Sequence, residues 1–248
     1  MEGLKEAIDR VAELAVQAEA TEVKVIEGRT YANRKLVRYG ATEKATAICT
    51  HTLTSLLEYI EKCSSEFAGK KMTIHVESPD RVLFVSELDS ERERECLFQV
   101  DAETSCFNFD HWYNQENLMI ALQANFQKNE DLEAVMRLAG NIEKKNNQTY
   151  SDDGVSQVAT MSVGVAVKAD AMVPNPVELI PYRTFMEVEQ PSSQFVFRIS
   201  NDETPSFKLV EAQGGIWKYQ AIANIKDYLL DGLSKMPDNI RSRVVVIG

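Results

Sequence analysis

Cysteine and histidine are scarce in this sequence. Its 248 residues include four cysteines and three histidines. The cysteines stand far apart in the chain, at Cys49, Cys63, Cys96 and Cys106. Pairing Cys49 with His51, or Cys63 with His75, would supply ligands that suit zinc, but neither spacing fits a known zinc site. The sequence therefore predicts no metal, and its cysteine usage favours a reducing cytoplasm.

Long hydrophobic runs are also missing. No stretch approaches the roughly 20 apolar residues that span a bilayer. The first residues, MEGLKEAIDRVAELA, are charged and amphipathic rather than typical of a signal peptide. We therefore expect no membrane partner and a place in the cytoplasm of the cell.

Positive charge is in deficit, with 27 basic against 38 acidic side chains and a net charge of -11. Such a surface repels phosphate and disfavours non-specific binding to duplex DNA. One basic segment with tyrosines, RTYANRKLVRY, has the composition of a single-stranded nucleic-acid face. Its cations are Arg29, Arg34, Lys35 and Arg38. An exposed, solvated connecting segment explains the same residues, and we favour that interpretation.

Catalytic motifs are absent. The sequence has no nucleophile elbow, no dinucleotide-binding glycine pattern and no complete phosphate loop. It therefore predicts no cofactor and no catalytic residue, although two short stretches offer an enzymatic alternative.

The first of these stretches is Asp152-Asp153-Gly154, which precedes an apolar run. Paired carboxylates can bind a metal or activate water, but their polar neighbours here are generic. Asp-Gly also supplies the backbone dihedral angles of a tight turn before a strand. The turn is the interpretation that we favour.

The second stretch is Asp110-His111-Trp112-Tyr113, an acid, an imidazole and two aromatic rings. Adjacent residues on an extended chain point to opposite faces, which argues against a direct dyad of Asp110 and His111. An aromatic anchor at the start of a helix is the favoured role.

Hydrophobic periodicity predicts an α+β fold with a mixed, mainly antiparallel sheet and several packed helices. Apolar residues at helical spacing predict helices over residues 4–18, 52–63, 114–126, 132–139 and 218–233. Strands are predicted over residues 72–77, 82–88, 95–100, 157–169, 177–180, 184–188, 195–199 and 207–211, and a short buried strand over 244–247. We expect an N-terminal helix and connecting arm (residues 1–48) and a main α+β domain (49–248).

Several strings of the sequence occur in the same order in a known family of proteins. YSDDGVSQVAT, VPNPVELIPYRTFMEVEQPSSQFVFRI and EAQGGIWKYQAIANIKDYL resemble the YfdQ-like family of phage and prophage proteins, as do LTSLLEYI, IHVESPDRVLFVSELD and LMIALQANF before them. The resemblance covers about residues 50–247. It implies a phage-encoded protein in the cytoplasm of the bacterial host. Early or recombination genes surround the family's genes, which suggests DNA metabolism or interference with host defence, and no catalytic residues carry over.

These observations favour a non-enzymatic protein that assembles with itself into a closed homo-oligomer, a ring or a shell. The order of elements is loosely similar to the capsid fold of tailed phages. The N-terminal helix and the hairpin of residues 72–88 are the expected contacts, through Leu4, Ile8, Val11, Val82 and Phe84. Alternatives are an accessory protein of DNA recombination that binds single strands, an inhibitor that binds a host protein, and an enzyme.

Overall fold

The structure is a computed structural model. It describes residues 2–19, 22–26, 29–32, 44–104, 107–141, 149–152, 156–160, 162–163, 166–167, 171–200 and 205–248. The chain divides into two compact units, Met1–Lys44 and Ala45–Gly248. The division falls slightly before the predicted boundary after residue 48, because the strand Ile48–Thr50 pairs with a strand of the second unit.

Among its described residues, the first unit holds one helix and one hairpin. Helix α1 (Glu2–Glu19) follows the predicted helix closely. Strands β1 (Val23–Ile26) and β2 (Arg29–Ala32) pair antiparallel, with Ile26 opposite Arg29. The sequence pattern predicts no hairpin here, because residues 21–48 mix polar and apolar side chains without a clear period.

The second unit is built on a five-stranded sheet in the order β16-β4-β5-β6-β3. Its strands are β3 (Ile48–Thr50), β4 (Met72–Ser78), β5 (Arg81–Ser86), β6 (Cys96–Asp101) and β16 (Val244–Ile247). The three central strands are antiparallel, whereas β3 runs parallel to β6 and β16 parallel to β4.

One face of this sheet packs against helices. They are α2 (Leu53–Lys62), α5 (Trp217–Ser234), the short α6 (Asp238–Arg241) and a 3₁₀ turn (Ser64–Phe67). Thr52 caps α2, as the sequence allows, because its side chain accepts a hydrogen bond from the backbone N–H of Ser55. Alternate residues of the strands and the apolar stripes of both long helices form a first core around the rings of Tyr59, Phe67, Phe84 and Phe98.

A second core lies between another sheet and two helices. The sheet has the order β13-β14-β15-β7 and consists of β7 (Tyr113–Asn114), β13 (Val177–Leu179), β14 (Ser193–Ile199) and β15 (Ser206–Glu211). Helices α3 (Gln115–Asn125) and α4 (Glu130–Asn141) cover it. Asn114 and Asn129 accept hydrogen bonds from N–H groups of the first turn of each helix. Both helices confirm the sequence prediction.

Two small sheets complete the described part of the chain. β8 (Thr149–Asp152), β9 (Ser156–Thr160) and β12 (Ala171–Pro174) pair antiparallel in the order β12-β9-β8. β10 (Ser162–Val163) pairs with β11 (Ala166–Val167). The whole is an α+β fold, as the sequence predicts.

The connection between β13 and β14 corrects one prediction. A strand was predicted over residues 184–188, but the chain there forms bends and turns. We call residues 181–192 the strap. Phe185 and Val188 of the strap enter the first core, whereas the strands on either side belong to the second sheet.

Gln190 holds the strap in this irregular path. Its buried amide accepts hydrogen bonds from the N–H groups of Arg183 (3.1 Å) and Thr184 (3.2 Å), and it donates to the carbonyl of Phe185 (2.8 Å). A side chain thus satisfies backbone groups that a strand would satisfy by pairing. The hydroxyl of Thr184 donates to the carbonyl of Pro79, 2.5 Å away in the β4–β5 turn.

Arg183, also in the strap, links the second sheet to helix α5. Its guanidinium pairs with Glu211 of β15 (3.2 Å), donates to the hydroxyl of Ser193 and lies 3.8 Å from the ring centroid of Trp217, the first residue of α5. Burial lowers the pKa of Arg183 to about 10, and the Glu211 carboxylate opposes that shift. The charged form is therefore costly to bury and depends on these contacts.

We predict that Gln190→Ala lowers the free energy of unfolding by about 2–3 kcal/mol, because it leaves the buried N–H of Thr184 and the partly buried N–H of Arg183 without an acceptor. Urea unfolding followed by circular dichroism measures the change. Gln194→Ala is the control, since that side chain is exposed on β14. Equal losses in the two variants would contradict the role given to Gln190.

Candidate interaction surface

The face of the five-stranded sheet opposite α2 and α5 is here called the outer face. The strand register places two rows of side chains on it. One row holds Ile247, His75, Leu83, Gln99 and Cys49. The neighbouring row holds Val245, Thr73, Val85 and Cys96.

None of these nine side chains belongs to Asp, Glu, Lys or Arg, and four are Val, Leu or Ile. Val245 is 56% exposed and Ile247 46%, while Leu83, Val85 and His75 are partly exposed. A sheet with one solvated face usually places polar residues on that face. This sheet is apolar on both faces, and contiguous exposed apolar surface marks an interaction site.

Charged residues border the outer face at one end. Arg81 Nε lies 2.6 Å from Asp101 Oδ1, and Arg81 Nη1 lies 3.8 Å from Glu77 Oε2. Hydrogen bonds from Arg81 and Gln99 lower the pKa of Asp101, so this carboxylate stays ionised.

The opposite end has a second charged border. Lys71 and Glu87 meet there, where the backbone N–H of Lys71 donates to a carboxylate oxygen of Glu87 (3.3 Å). Arg243 directly precedes β16 and shares the side of Val245, two residues away. An apolar centre between polar borders is the usual anatomy of a protein–protein interface.

Two of the predicted contact residues are wrong. Val82 and Phe84 are 0% exposed and lie in the first core. Successive residues of a strand point to opposite faces, so Leu83 and Val85 occupy the outer face instead. The prediction chose the wrong face because both sets of alternate residues in RVLFVS are apolar. The terminal strand β16 is found where it was predicted, but it lies at the sheet edge and is buried only on its inner side, with Val245 and Ile247 exposed.

The predicted contacts in α1 have a different outcome. Ile8 is 60% exposed and Val11 66% exposed, and Leu14 extends the same apolar stripe at 49%. The side chain of Leu4 lies outside the described part of the structure. These residues remain the predicted contacts of the first unit.

The basic segment falls largely outside the described residues. Arg29 lies in β2, but its side chain is not described, and Arg34, Lys35 and Arg38 are not described at all. Tyr31 of the same strand is 51% exposed. The nucleic-acid interpretation therefore stays a prediction.

The carboxylate pair is described only in part. Asp152 ends β8 opposite Gln157 of β9, in an antiparallel pair. The turn interpretation requires strands that pair in this way. Asp153 and Gly154 lie outside the described residues.

Asp110 and His111 do not form a dyad in the described contacts. The Asp110 carboxylate pairs with Lys208 at 2.7 Å, and the His111 ring stands edge-on to Tyr113 at 5.1 Å. The ammonium of Lys208 also lies 5.0 Å from the ring centroid of Trp112. These contacts fit an aromatic anchor ahead of α3.

Metal ligands do not converge in the described part of the chain, where no group of three His, Cys, Asp or Glu side chains is placed to hold an ion. Cys63 packs against the first core, whereas His75 lies on the outer face of the sheet. The sheet thus separates these two residues.

A groove of about 570 Å³ lies between the β4–β5 turn and the start of α5. Gly214 and Gly215 shape it with φ angles of +60° and +81°, which L side chains rarely adopt. Glu77, Asp80 and Lys218 line it together with two aromatic rings. The mixture of charges indicates no single class of ligand.

No family model, curated protein or solved structure matches this chain. The resemblance to the YfdQ-like family therefore stays a prediction from the quoted strings. Among the described residues, no helix is both long enough and apolar enough to cross a membrane.

Proposed function

We propose that this protein acts by self-association, as a non-enzymatic protein that assembles into a closed homo-oligomer. The observation that carries the proposal is the outer face, with its two uncharged rows in an otherwise acidic protein. The resemblance to the YfdQ-like family supports a phage or prophage origin and a role in the cytoplasm of the bacterial host.

A second copy of the chain suits the outer face for an electrostatic reason. Each copy carries a net charge of -11, so two copies repel each other over most of their surfaces. The outer face lets them meet without bringing like charges into contact, because the charged residues stand at its two ends. Two such sheets packed face to face form a sandwich about 10 Å thick.

The stripe of α1 gives the first unit an apolar surface of its own. Ile8, Val11 and Leu14 repeat at helical spacing, and the polar side of the helix carries an ion pair between Arg10 and Glu13 at 2.9 Å. An isolated amphipathic helix gains little stability in water until its stripe is buried. Helix-to-helix contact between copies supplies that burial.

We predict that Leu83→Lys reduces the molecular mass of the assembly and leaves the fold intact. Leu83 lies in the middle of its row, so a lysine there reaches solvent in the single chain but carries a charge into the packed face. Size-exclusion chromatography with light scattering at micromolar concentration measures the mass. Gln194→Lys, which adds the same charge to an exposed position of the second sheet, is expected to keep the mass of the wild type.

Two results would count against this proposal. A wild-type protein that runs as a monomer at micromolar concentration overturns self-association itself. A Leu83→Lys variant with the mass of the wild type removes the outer face as the contact.

The stripe of α1 is tested separately. We predict that Val11→Glu weakens assembly at least about tenfold, since it places a carboxylate in the apolar stripe, whereas Glu6→Lys, a charge change on the opposite side of the helix, does not. Sedimentation velocity over a concentration series gives the two association constants. Equal constants would exclude the stripe as a contact.

A further inference from the structure

We propose that β16 pairs edge to edge with β16 of a second copy, antiparallel and about a two-fold axis normal to the sheet. The two five-stranded sheets then become one continuous sheet. This inference rests on the proposed self-association and specifies a second contact for it, distinct from packing through the outer face.

The chemistry of β16 is unusual for an edge strand. Its sequence is Val-Val-Val-Ile, without a charge or a proline. Natural sheets protect their edges with lysines, prolines, bulges or very short strands. The other edge of this sheet, β3, follows that rule with three residues, whereas β16 pairs with β4 along four residues in unbroken register.

The backbone of β16 has hydrogen-bonding groups directed away from β4. The carbonyl of Arg243 accepts from the N–H of Met72 at 2.8 Å. Backbone groups of a strand alternate in direction, so residues 243, 245 and 247 bond to β4. The N–H and C=O of Val244 and Val246 therefore point to the open side of the sheet, where the described residues provide no neighbouring strand.

A two-fold axis at Val246 gives a self-complementary pairing. Val246 of the two copies then forms a hydrogen-bonded pair, and Val245 of each copy lies opposite Ile247 of the other. Both side chains stand on the outer face, where they are about half exposed in the single chain. Cross-strand apolar pairs of this kind stabilise a sheet.

Charge complementarity favours a second copy over another partner. Antiparallel pairing carries Arg243 of one copy just beyond Gly248 of the other. Glu77 lies close to that level of the sheet, beside the register irregularity between Val76 and Ser78, since His75 is opposite Ile247. Its carboxylate lies 3.8 Å from the guanidinium of Arg81 at the border of the outer face, so each copy's cation approaches the other copy's carboxylate, once at either end of the pairing.

The symmetry of the two contacts sets the smallest closed assembly that contains both. The axis of the edge contact is normal to the sheet, whereas the axis of face-to-face packing lies parallel to it. Two perpendicular two-fold axes that meet generate four copies with closed symmetry. The wild type is therefore expected to contain four copies of the 27.9 kDa chain.

Val246→Pro tests the edge contact. Proline removes the N–H that points away from β4 and replaces the Val246 side chain, which packs against the first core, with another apolar group. Edge strands accept proline at such positions. Light scattering is expected to show four copies for the wild type and two for Val246→Pro. Circular dichroism and thermal unfolding check that each variant keeps its fold.

A wild-type assembly whose mass is unchanged by Val246→Pro, with the fold retained, overturns the edge contact and leaves self-association standing. A monomeric wild type overturns both. If Val246→Pro unfolds the protein, Arg243→Glu decides, because it should reduce the mass and Glu77→Arg in the same chain should restore it. Lys128→Glu, a charge reversal at an exposed position between α3 and α4, is the control. An Arg243→Glu variant with the mass of the wild type would then overturn the edge contact.

Discussion

The fold of the second unit depends on the strap, because this segment contributes side chains to the first core and connects two strands of the second sheet. Phe185 and Val188 enter the first core, and the segment continues directly into β14 of the second sheet. Such a path leaves backbone groups unpaired, and the amide of Gln190 supplies their partners. Arg183 then ties β15 to the start of α5 through Glu211 and the ring of Trp217.

The strap also explains why the outer face is left open. The connection crosses on the side where Thr184 reaches the β4–β5 turn and Phe185 joins the helices in the core. Both long helices that pack on the five-stranded sheet lie on that same side. The rows of the other side therefore have no cover among the described residues of the second unit, and the proposed association between copies would provide it.

Much of this fold could be predicted from the sequence, because most of its helices have a clear apolar stripe and side-chain caps such as Thr52 and Asn114. The strap could not, since an amide from Gln190 replaces strand pairing and leaves no periodic signal. The outer face could be predicted only in part. The string RVLFVS predicts a strand, but both sets of alternate residues are apolar, so the pattern does not show whether Val82 or Leu83 faces the core. The edge position of β16 could not be predicted, because it depends on the strand order of the sheet and the sequence Val-Val-Val-Ile would suit a central strand equally well.

Amide hydrogen exchange shows directly whether the chains associate through the sheet. Mass spectrometry of peptides that cover residues 243–248 should be compared at a concentration where the protein is assembled and at one where it is dilute. The amides of Val244 and Val246 are expected to exchange at least about tenfold more slowly in the assembled state, because each gains a hydrogen bond from the second copy. Equal exchange at both concentrations, in a protein whose mass does change, would contradict pairing through β16.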